Sequence, residues 1–214
     1  YAVWVKENIT YQVRYNANGG IISPLELTSE TNHWIYEDGV YKSGNQGVGD
    51  STSTIKSKEF TLTETGTISF DWAVSSEGGT YDYLYYSIYK DGSTTALTGT
   101  GTSTKKGGNS SITSETNLTY TTVTKELEAG TYILEFNYIK DTTGNRGLDT
   151  GYVKNILIPG FSTIQENSSH QTGVKSKLSK NKFIKARSVF KGWSTTLNGN
   201  VKYNDEEEVI DLAD

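Results

Sequence analysis

The feature that most constrains the fold is the segment TISFDWAV at residues 67–74, in which apolar and polar side chains alternate. The apolar positions of this segment are Ile68, Phe70, Trp72 and Val74. Successive side chains of a β-strand point to opposite faces, so a period of two predicts a strand with one buried face. A helix would spread the same four residues around its circumference.

The same alternation recurs along the middle of the chain. Further strands are predicted within residues 25–41, 57–62, 81–90, 118–127, 130–139 and 152–158, and Gly- or Asp-containing turns separate most of them. Short strands at this spacing, each with one apolar face, are typical of an antiparallel two-sheet sandwich. We therefore predict an all-β fold in which Trp72 and Phe136 belong to the core.

Net charge excludes two classes of partner. The chain carries 25 Asp and Glu against 20 Lys and Arg, a formal net charge of −5. Nucleic acids and anionic membrane surfaces both select a basic protein face, so neither is expected as a partner. The one basic run, residues 175–187, is interpreted as a solvated loop. Direct membrane insertion is not expected either, because the sequence contains no apolar run of about 18 residues.

Two distant segments form a second pattern. Residues 10–20, TYQVRYNANGG, combine a short alternating strand with a turn rich in Asn and Gly, the residues that adopt positive φ at least cost. Residues 182–211 contain FKGWST, a polar turn and a further short strand. The motifs YNANGG and FKGWST resemble the two ends of an internalin B-type repeat, also called the Listeria–Bacteroides repeat.

This resemblance implies a discontinuous domain organisation. Residues 1–23 and 161–214 would form one small β-rich, β-grasp-like repeat domain, with Phe190 and Trp193 in its core. Residues 24–160 would be a second domain inserted into the first, beginning at Ser23-Pro24. Residues 1–5 resemble the last strand of a preceding repeat, so neighbouring repeats of the same chain are expected partners.

The inserted segment carries a resemblance of its own. Four segments are similar to a jelly-roll module of large bacterial surface and secreted proteins: ISFDWAVSSE at residues 68–77, YDYLYYSI at 81–88, residues 127–141 and GLDTGYVKNI at 147–156. The resemblance implies a jelly-roll β-sandwich that serves binding or spacing and is not an enzyme. It also implies an extracellular location, either secreted or attached to the cell wall, and the absence of Cys is consistent with that.

Few residues are suited to catalysis or metal binding. The chain has two His, no Cys and no GxSxG motif. Acidic residues flank Gly-rich turns in two pairs, Glu77 with Asp82 and Asp141 with Asp149. Carboxylates in such positions cap turns, bind calcium or, when they face each other in a cleft, hydrolyse glycosides. For calcium, the predicted ligands are Asp141, Asn145 and Asp149, with Thr143 nearby, and calcium is the one cofactor suggested.

A row of tyrosines is the candidate binding surface. In the segment at residues 81–90, the core-directed positions are Leu84, Tyr86 and Ile88, which places Tyr81, Tyr83, Tyr85 and Tyr89 on the opposite face. Rings in a row form a platform for the faces of sugars, and Asp71 or Ser69 on a neighbouring strand would bind hydroxyl groups. The alternative is that residues 93–116 or the repeat domain cover this face.

Three functions are consistent with the sequence. The first is a non-catalytic binding or adhesion module, monomeric, that recognises a glycan or a host glycoprotein. The second is a passive stalk or spacer. The third is an accessory domain that positions substrate for a large secreted hydrolase, such as a peptidase acting on mucosal glycoproteins.

Overall fold

The structure is a computed structural model that describes residue 2 and residues 7–28, 30–79, 81–97, 104–185 and 188–212. The chain divides into two compact units, one formed by Tyr1–Ser23 with Ser162–Asp214 and the other by Pro24–Phe161. The strand predicted for a preceding repeat at residues 1–5 lies outside the described residues, apart from Ala2. No described segment forms a helix with the length and hydropathy that a membrane crossing requires.

The described elements are nearly all strands. In chain order they are β1 (Thr10–Val13), β2 (Ile21–Ile22), β3 (Leu25–Glu26), β4 (Ile35–Glu37), β5 (Val40–Lys42), β6 (Ser51–Ser57), β7 (Phe60–Leu62), β8 (Gly66–Ser75), β9 (Tyr83–Lys90), β10 (Lys105–Gly107), β11 (Thr121–Leu127), β12 (Gly130–Lys140), β13 (Thr150–Leu157), β14 (Ser168–Gln171), β15 (Ser176–Lys177), β16 (Phe183–Ile184) and β17 (Glu208–Val209). One turn of 3-10 helix spans Glu115–Asn117.

The Pro24–Phe161 unit is an antiparallel β-sandwich. Sheet I has the strand order β10-β9-β12-β6-β3, with β7 also paired to β12, and sheet II has the order β11-β8-β13-β5-β4. All the strand pairs in both sheets are antiparallel. The predicted all-β fold class is confirmed.

The core lies between the two sheets. β8 of sheet II contributes Phe70 and Trp72, and β9 and β12 of sheet I contribute Tyr86 and Phe136. Phe70 meets Phe136 edge to face with 4.8 Å between ring centroids, a geometry that stabilises aromatic pairs beyond their buried area. Trp72 and Phe136 are both buried, as the alternation predicted.

A long connection covers part of the outer face of sheet II. The Ser75 hydroxyl donates to the Ile112 carbonyl at 2.6 Å, and the Lys42 ammonium lies 2.8 Å from the Glu115 carboxylate. The ammonium of Lys154 lies 3.8 Å from the centroid of the Tyr120 ring. Residues 112–116 of the segment at 93–116 therefore pack on sheet II, whereas β10 extends sheet I beside β9 and places Lys105 against the Tyr83 ring.

The other unit consists of three two-stranded antiparallel pairs, β1 with β14, β2 with β16 and β15 with β17. The Trp193 ring contacts those of Tyr15, Phe183 and Phe190, at centroid distances of 4.6, 6.5 and 4.9 Å. Trp193 is half-buried, whereas Phe190 is 39% exposed. The prediction that Phe190 is a core residue needs correction, because its ring lies at the edge of this cluster and keeps much of its surface in water.

Candidate functional site

The candidate site is the outer face of sheet I. Alternate residues of β9 point into the core, and Leu84, Tyr86 and Ile88 are all buried there. The intervening residues Tyr83, Tyr85 and Tyr89 therefore point outward, and each is half-buried. Tyr81 precedes the strand and is 61% exposed. The predicted separation of the tyrosines from the core positions is what the structure shows.

Two rings form the centre of this face. The Tyr83 and Tyr85 rings lie 6.1 Å apart and are tilted by 41°. The ammonium of Lys105 on β10 lies 4.5 Å from the Tyr83 ring centroid, within the range of a cation–π contact. Burial raises the pKa of the Tyr85 hydroxyl, and the nearby Glu135 carboxylate raises it further. A phenol hydroxyl both donates and accepts hydrogen bonds.

A polar row runs beside the rings on β12. Asn137 pairs in register with Tyr85, and Glu135 pairs with Ser87. The Asn137 amide donates to the Glu135 carboxylate at 2.6 Å and accepts from the Thr54 hydroxyl, also at 2.6 Å. Sequence reasoning missed Glu135 and Asn137. The alternation of this strand could have revealed them. Its other positions were assigned to the core, so Glu135 and Asn137 had to point to the outer face.

Further contacts hold Glu135 in place. Its carboxylate lies 2.8 Å from the Lys56 ammonium and accepts from the Tyr89 hydroxyl at 3.4 Å. A groove of about 320 Å³ begins at Tyr89 and Lys56 and is also lined by Glu59, Ser93 and Thr131. The outer face thus combines two half-buried rings, a buried and fixed polar row and a neighbouring concave surface. Such a combination is able to bind a flat, polar ligand.

Asp71 lies on sheet II, so the prediction that it neighbours the tyrosine row was wrong. It was expected on a strand next to the tyrosines, but β8 belongs to sheet II and β9 to sheet I. Asp71 accepts hydrogen bonds from the Thr122 hydroxyl at 2.6 Å and from the Asn155 amide at 2.7 Å. These bonds lower the pKa of its carboxyl. Asp71 and the tyrosine row therefore lie on opposite outer faces of the sandwich.

The residues predicted to bind calcium are not brought together either. The buried Asp149 carboxylate pairs with the ammonium of Lys140, which also donates to the Asn145 side chain at 2.7 Å. Asp149 accepts a second hydrogen bond, 2.7 Å long, from the Gly47 amide. A lysine therefore occupies the position between Asn145 and Asp149 where a cation was expected, and Asp141 points to a different group.

Asp141 instead belongs to an acidic group with Glu77 and Asp82. Each of the three residues has a carboxylate oxygen within 4.8 Å of those of the other two. Asp82 is completely buried, and one of its oxygens accepts from the Asp141 amide at 3.0 Å. Burial raises the pKa of Asp82 to about 6, and the negative charges of Asp149 and Glu77 add to the increase. The sequence placed Glu77 with Asp82 at one turn and did not predict that Asp141 joins them.

Neither histidine has the surroundings of a catalytic base. The exposed His33 ring contacts only the Glu30 carbonyl, at 2.7 Å, among the hydrogen bonds described. His170 is buried, and its two ring nitrogens lie 2.6 Å from the hydroxyls of Ser168 and Ser176. A buried imidazole between two hydroxyls has neither a carboxylate to orient it nor access to substrate.

No protein-family model matches the sequence, and no curated protein matches it. Among solved structures, the cleaved adhesin domain of Lys-gingipain from Porphyromonas gingivalis is 13% identical, with a TM-score of 0.40 over 71% of this chain and 96% of that one. A family 35 carbohydrate-binding module from Clostridium thermocellum is 13% identical, with a TM-score of 0.30 over 69% of this chain and 98% of that one.

The secreted serine protease VesC from Vibrio cholerae is 14% identical, with a TM-score of 0.39. That match covers 58% of this chain and 23% of the protease, so the chain spans less than a quarter of its length. All three TM-scores are low. The fold described above rests on the strand pairing of this chain itself.

Proposed function

We propose that the Pro24–Phe161 unit is a non-catalytic module that binds a glycan on the outer face of sheet I. The observation that carries this proposal is the outward-facing pair Tyr83 and Tyr85, 6.1 Å apart, beside the hydrogen-bonded Glu135 and Asn137. The rings would contact the C–H faces of a sugar. The polar row would bind its hydroxyl groups.

The expected affinity is modest. By analogy with aromatic pairs, each ring contact contributes about 0.5–1.5 kcal/mol, and a hydrogen bond to a charged acceptor contributes about 1.5–3 kcal/mol. Two rings and one bond to Glu135 therefore give about 2.5–6 kcal/mol before the cost of ordering the ligand. Because a Kd of 1 mM corresponds to about 4.1 kcal/mol, millimolar to high-micromolar binding is expected for a short glycan.

The site is organised before ligand arrives. Lys56, Tyr89 and Asn137 all contact the Glu135 carboxylate, so its orientation is set by the protein. A sugar hydroxyl would then find an acceptor that loses little freedom on binding, which is the general benefit of preorganisation. The Lys56 ammonium balances the charge of Glu135, so the polar row suits a neutral sugar.

A glycan array probed with the whole chain tests this proposal. We expect the wild type to bind at least one glycan, and Tyr83→Ala and Tyr85→Ala each to weaken that binding at least fivefold. Tyr120→Ala is the matched control, because it removes a half-buried ring that packs beside Lys154 of sheet II. Equal losses in all three variants would refute the assignment to sheet I.

The alternative function, a passive stalk, makes the opposite prediction: no glycan on a broad array would bind the wild type. The unit formed by residues 1–23 and 162–214 fits a connecting role in either case. Its two predicted motifs meet, since the ring centroids of Tyr15 and Trp193 lie 4.6 Å apart. We propose that this unit is a B-type repeat that contacts neighbouring repeats in an extracellular protein, secreted or attached to the cell wall.

A further inference from the structure

The carboxylates of Glu77, Asp82 and Asp141 converge at one end of the sandwich. Glu77 lies in the turn after β8, Asp82 immediately precedes β9, and Asp141 immediately follows β12. One carboxylate oxygen of each lies within 4.8 Å of the other two. Three like charges at this separation repel one another strongly unless water or a cation compensates them.

Water access does not explain the arrangement, because Asp82 is fully buried. One of its two carboxylate oxygens accepts from the Asp141 amide, and the other has no hydrogen-bond partner. A buried polar atom left without a partner costs about 1–3 kcal/mol, and more when it is charged. The unpartnered oxygen belongs to the residue at the centre of the acidic group and is therefore an independent sign of a missing ligand.

No cation in the described part of the chain bonds to that oxygen. Lys140 precedes Asp141 in the chain, but its ammonium is engaged by Asp149 and Asn145. Among the salt bridges described, none involves Glu77, Asp82 or Asp141. Compensation by an ion from solution is what remains.

The other two carboxylates lie at the loop after β12. The Thr143 amide donates to Asp141 at 2.9 Å, which leaves the second Asp141 oxygen for a ligand. Gly144 has a φ of +90°, and a Cβ built there would lie 1.9 Å from a Glu77 carboxylate oxygen. The loop after β12 thus passes directly against Glu77, and the positive φ at this position favours glycine.

We propose that Glu77, Asp82 and Asp141 bind one calcium ion. Calcium binds oxygen ligands at about 2.3–2.6 Å in a flexible geometry, so two ligands of one ion are separated by at most about 5 Å, and the three oxygens satisfy this limit. Magnesium requires a nearly ideal octahedron at about 2.0–2.1 Å and keeps most of its waters. Water or backbone carbonyls would complete the calcium shell.

Such an ion would connect the β8–β9 turn to the end of β12. Its role is structural and does not depend on the proposed glycan site, although the turn leads directly into Tyr83. Calcium would bind only the folded state and would therefore stabilise it by mass action. The ligands come from two segments that are distant in sequence, the β8–β9 connection and the residue after β12, so the stabilisation applies to the tertiary structure of the unit.

The test uses the whole chain after removal of divalent ions with a chelator. We expect calorimetric titration with CaCl₂ to give one site, and millimolar calcium to raise the melting temperature by several degrees. Asp82→Asn and Glu77→Gln should each abolish the titration signal and the shift. Glu126→Gln, which removes one charge from an exposed position on β11, should retain both.

Two variants are used because a change at the buried Asp82 also tests folding, whereas Glu77 is half-buried and its substitution leaves the interior intact. Absence of calcium binding to the wild type would overturn the proposal. Binding that persists unchanged in Glu77→Gln and Asp82→Asn would overturn the assignment of these ligands. An equal response to MgCl₂ would overturn the choice of calcium.

Discussion

The buried ion pair between Lys140 and Asp149 gives the most quantitative prediction. Both side chains are almost completely buried. Asparagine at position 149 has nearly the shape of aspartate and keeps an oxygen for the Gly47 amide, which donates at 2.7 Å. The Asp149→Asn substitution therefore removes the negative charge and leaves the Lys140 ammonium buried, with Asn145 as its remaining partner.

The expected loss is about 3–5 kcal/mol, the range found when one member of a buried ion pair is removed. A loss of this size is a large part of the stability of an ordinary domain. For a domain of this size each kcal/mol lowers the melting temperature by roughly 3–5 °C, so a decrease of roughly 10–20 °C is expected. The double variant Lys140→Met with Asp149→Asn should lose less than Asp149→Asn alone, because no unpaired charge remains.

Chemical denaturation followed by circular dichroism measures the free energies of unfolding, and thermal unfolding measures the melting temperatures. Glu115→Gln is the matched control, because it removes a carboxylate that is half-exposed and pairs with Lys42 at 2.8 Å. Pairs exposed to this degree contribute about 0–1 kcal/mol. The reasoning would be refuted if Asp149→Asn lowered the free energy of unfolding by less than about 1 kcal/mol, or by no more than Glu115→Gln does. Either result would mean that burying the Lys140 ammonium does not require the Asp149 charge.

Three further predictions concern stability. Phe136→Ala should cost about 3–5 kcal/mol in urea unfolding, because Phe136 is fully buried; a loss below 1 kcal/mol would contradict its core position. Burial lowers the pKa of His170, whose neighbours Ser168 and Ser176 carry no charge. Stability from its neutral form is therefore lost as the pH falls below about 6.5. The protection factors of the β14 amides should fall between pH 7 and pH 5 in the wild type and in the control His33→Gln, but less in His170→Gln. Replacing residues 25–159 by a short Gly/Ser linker should leave a folded unit with dispersed amide resonances; random-coil dispersion would argue against a discontinuous domain.

The sequence predicted most strands of the sandwich and the faces of β8, β9 and β12 because one physical rule governs both, but it assigned β6 and β10 to polar loops. Burial on one side of a pleated strand demands alternation, and Trp72 and Phe136 followed that rule. The rule does not state which sheet a strand joins. For that reason Asp71 was placed next to the tyrosines, although β8 and β9 lie in opposite sheets.

The acidic residues show a second limit. Sequence spacing grouped Asp141 with Asp149 because they flank one loop. The structure separates them because Lys140, in the last position of β12, points inward and pairs with Asp149. Asp141, the next residue, meets Asp82 from a segment about 60 residues earlier. Contacts between distant segments depend on strand pairing, and local patterns do not encode it.

The central claim, that a glycan binds the outer face of sheet I, is tested most directly by an amide-resonance titration. The wild-type chain is titrated with the glycan that binds best on the array. The account predicts saturable shifts that cluster on β9 and β12, around Tyr85 and Asn137, with little change on sheet II. Shifts that cluster around Asp71 on sheet II, or no saturable shifts with any glycan, would contradict it.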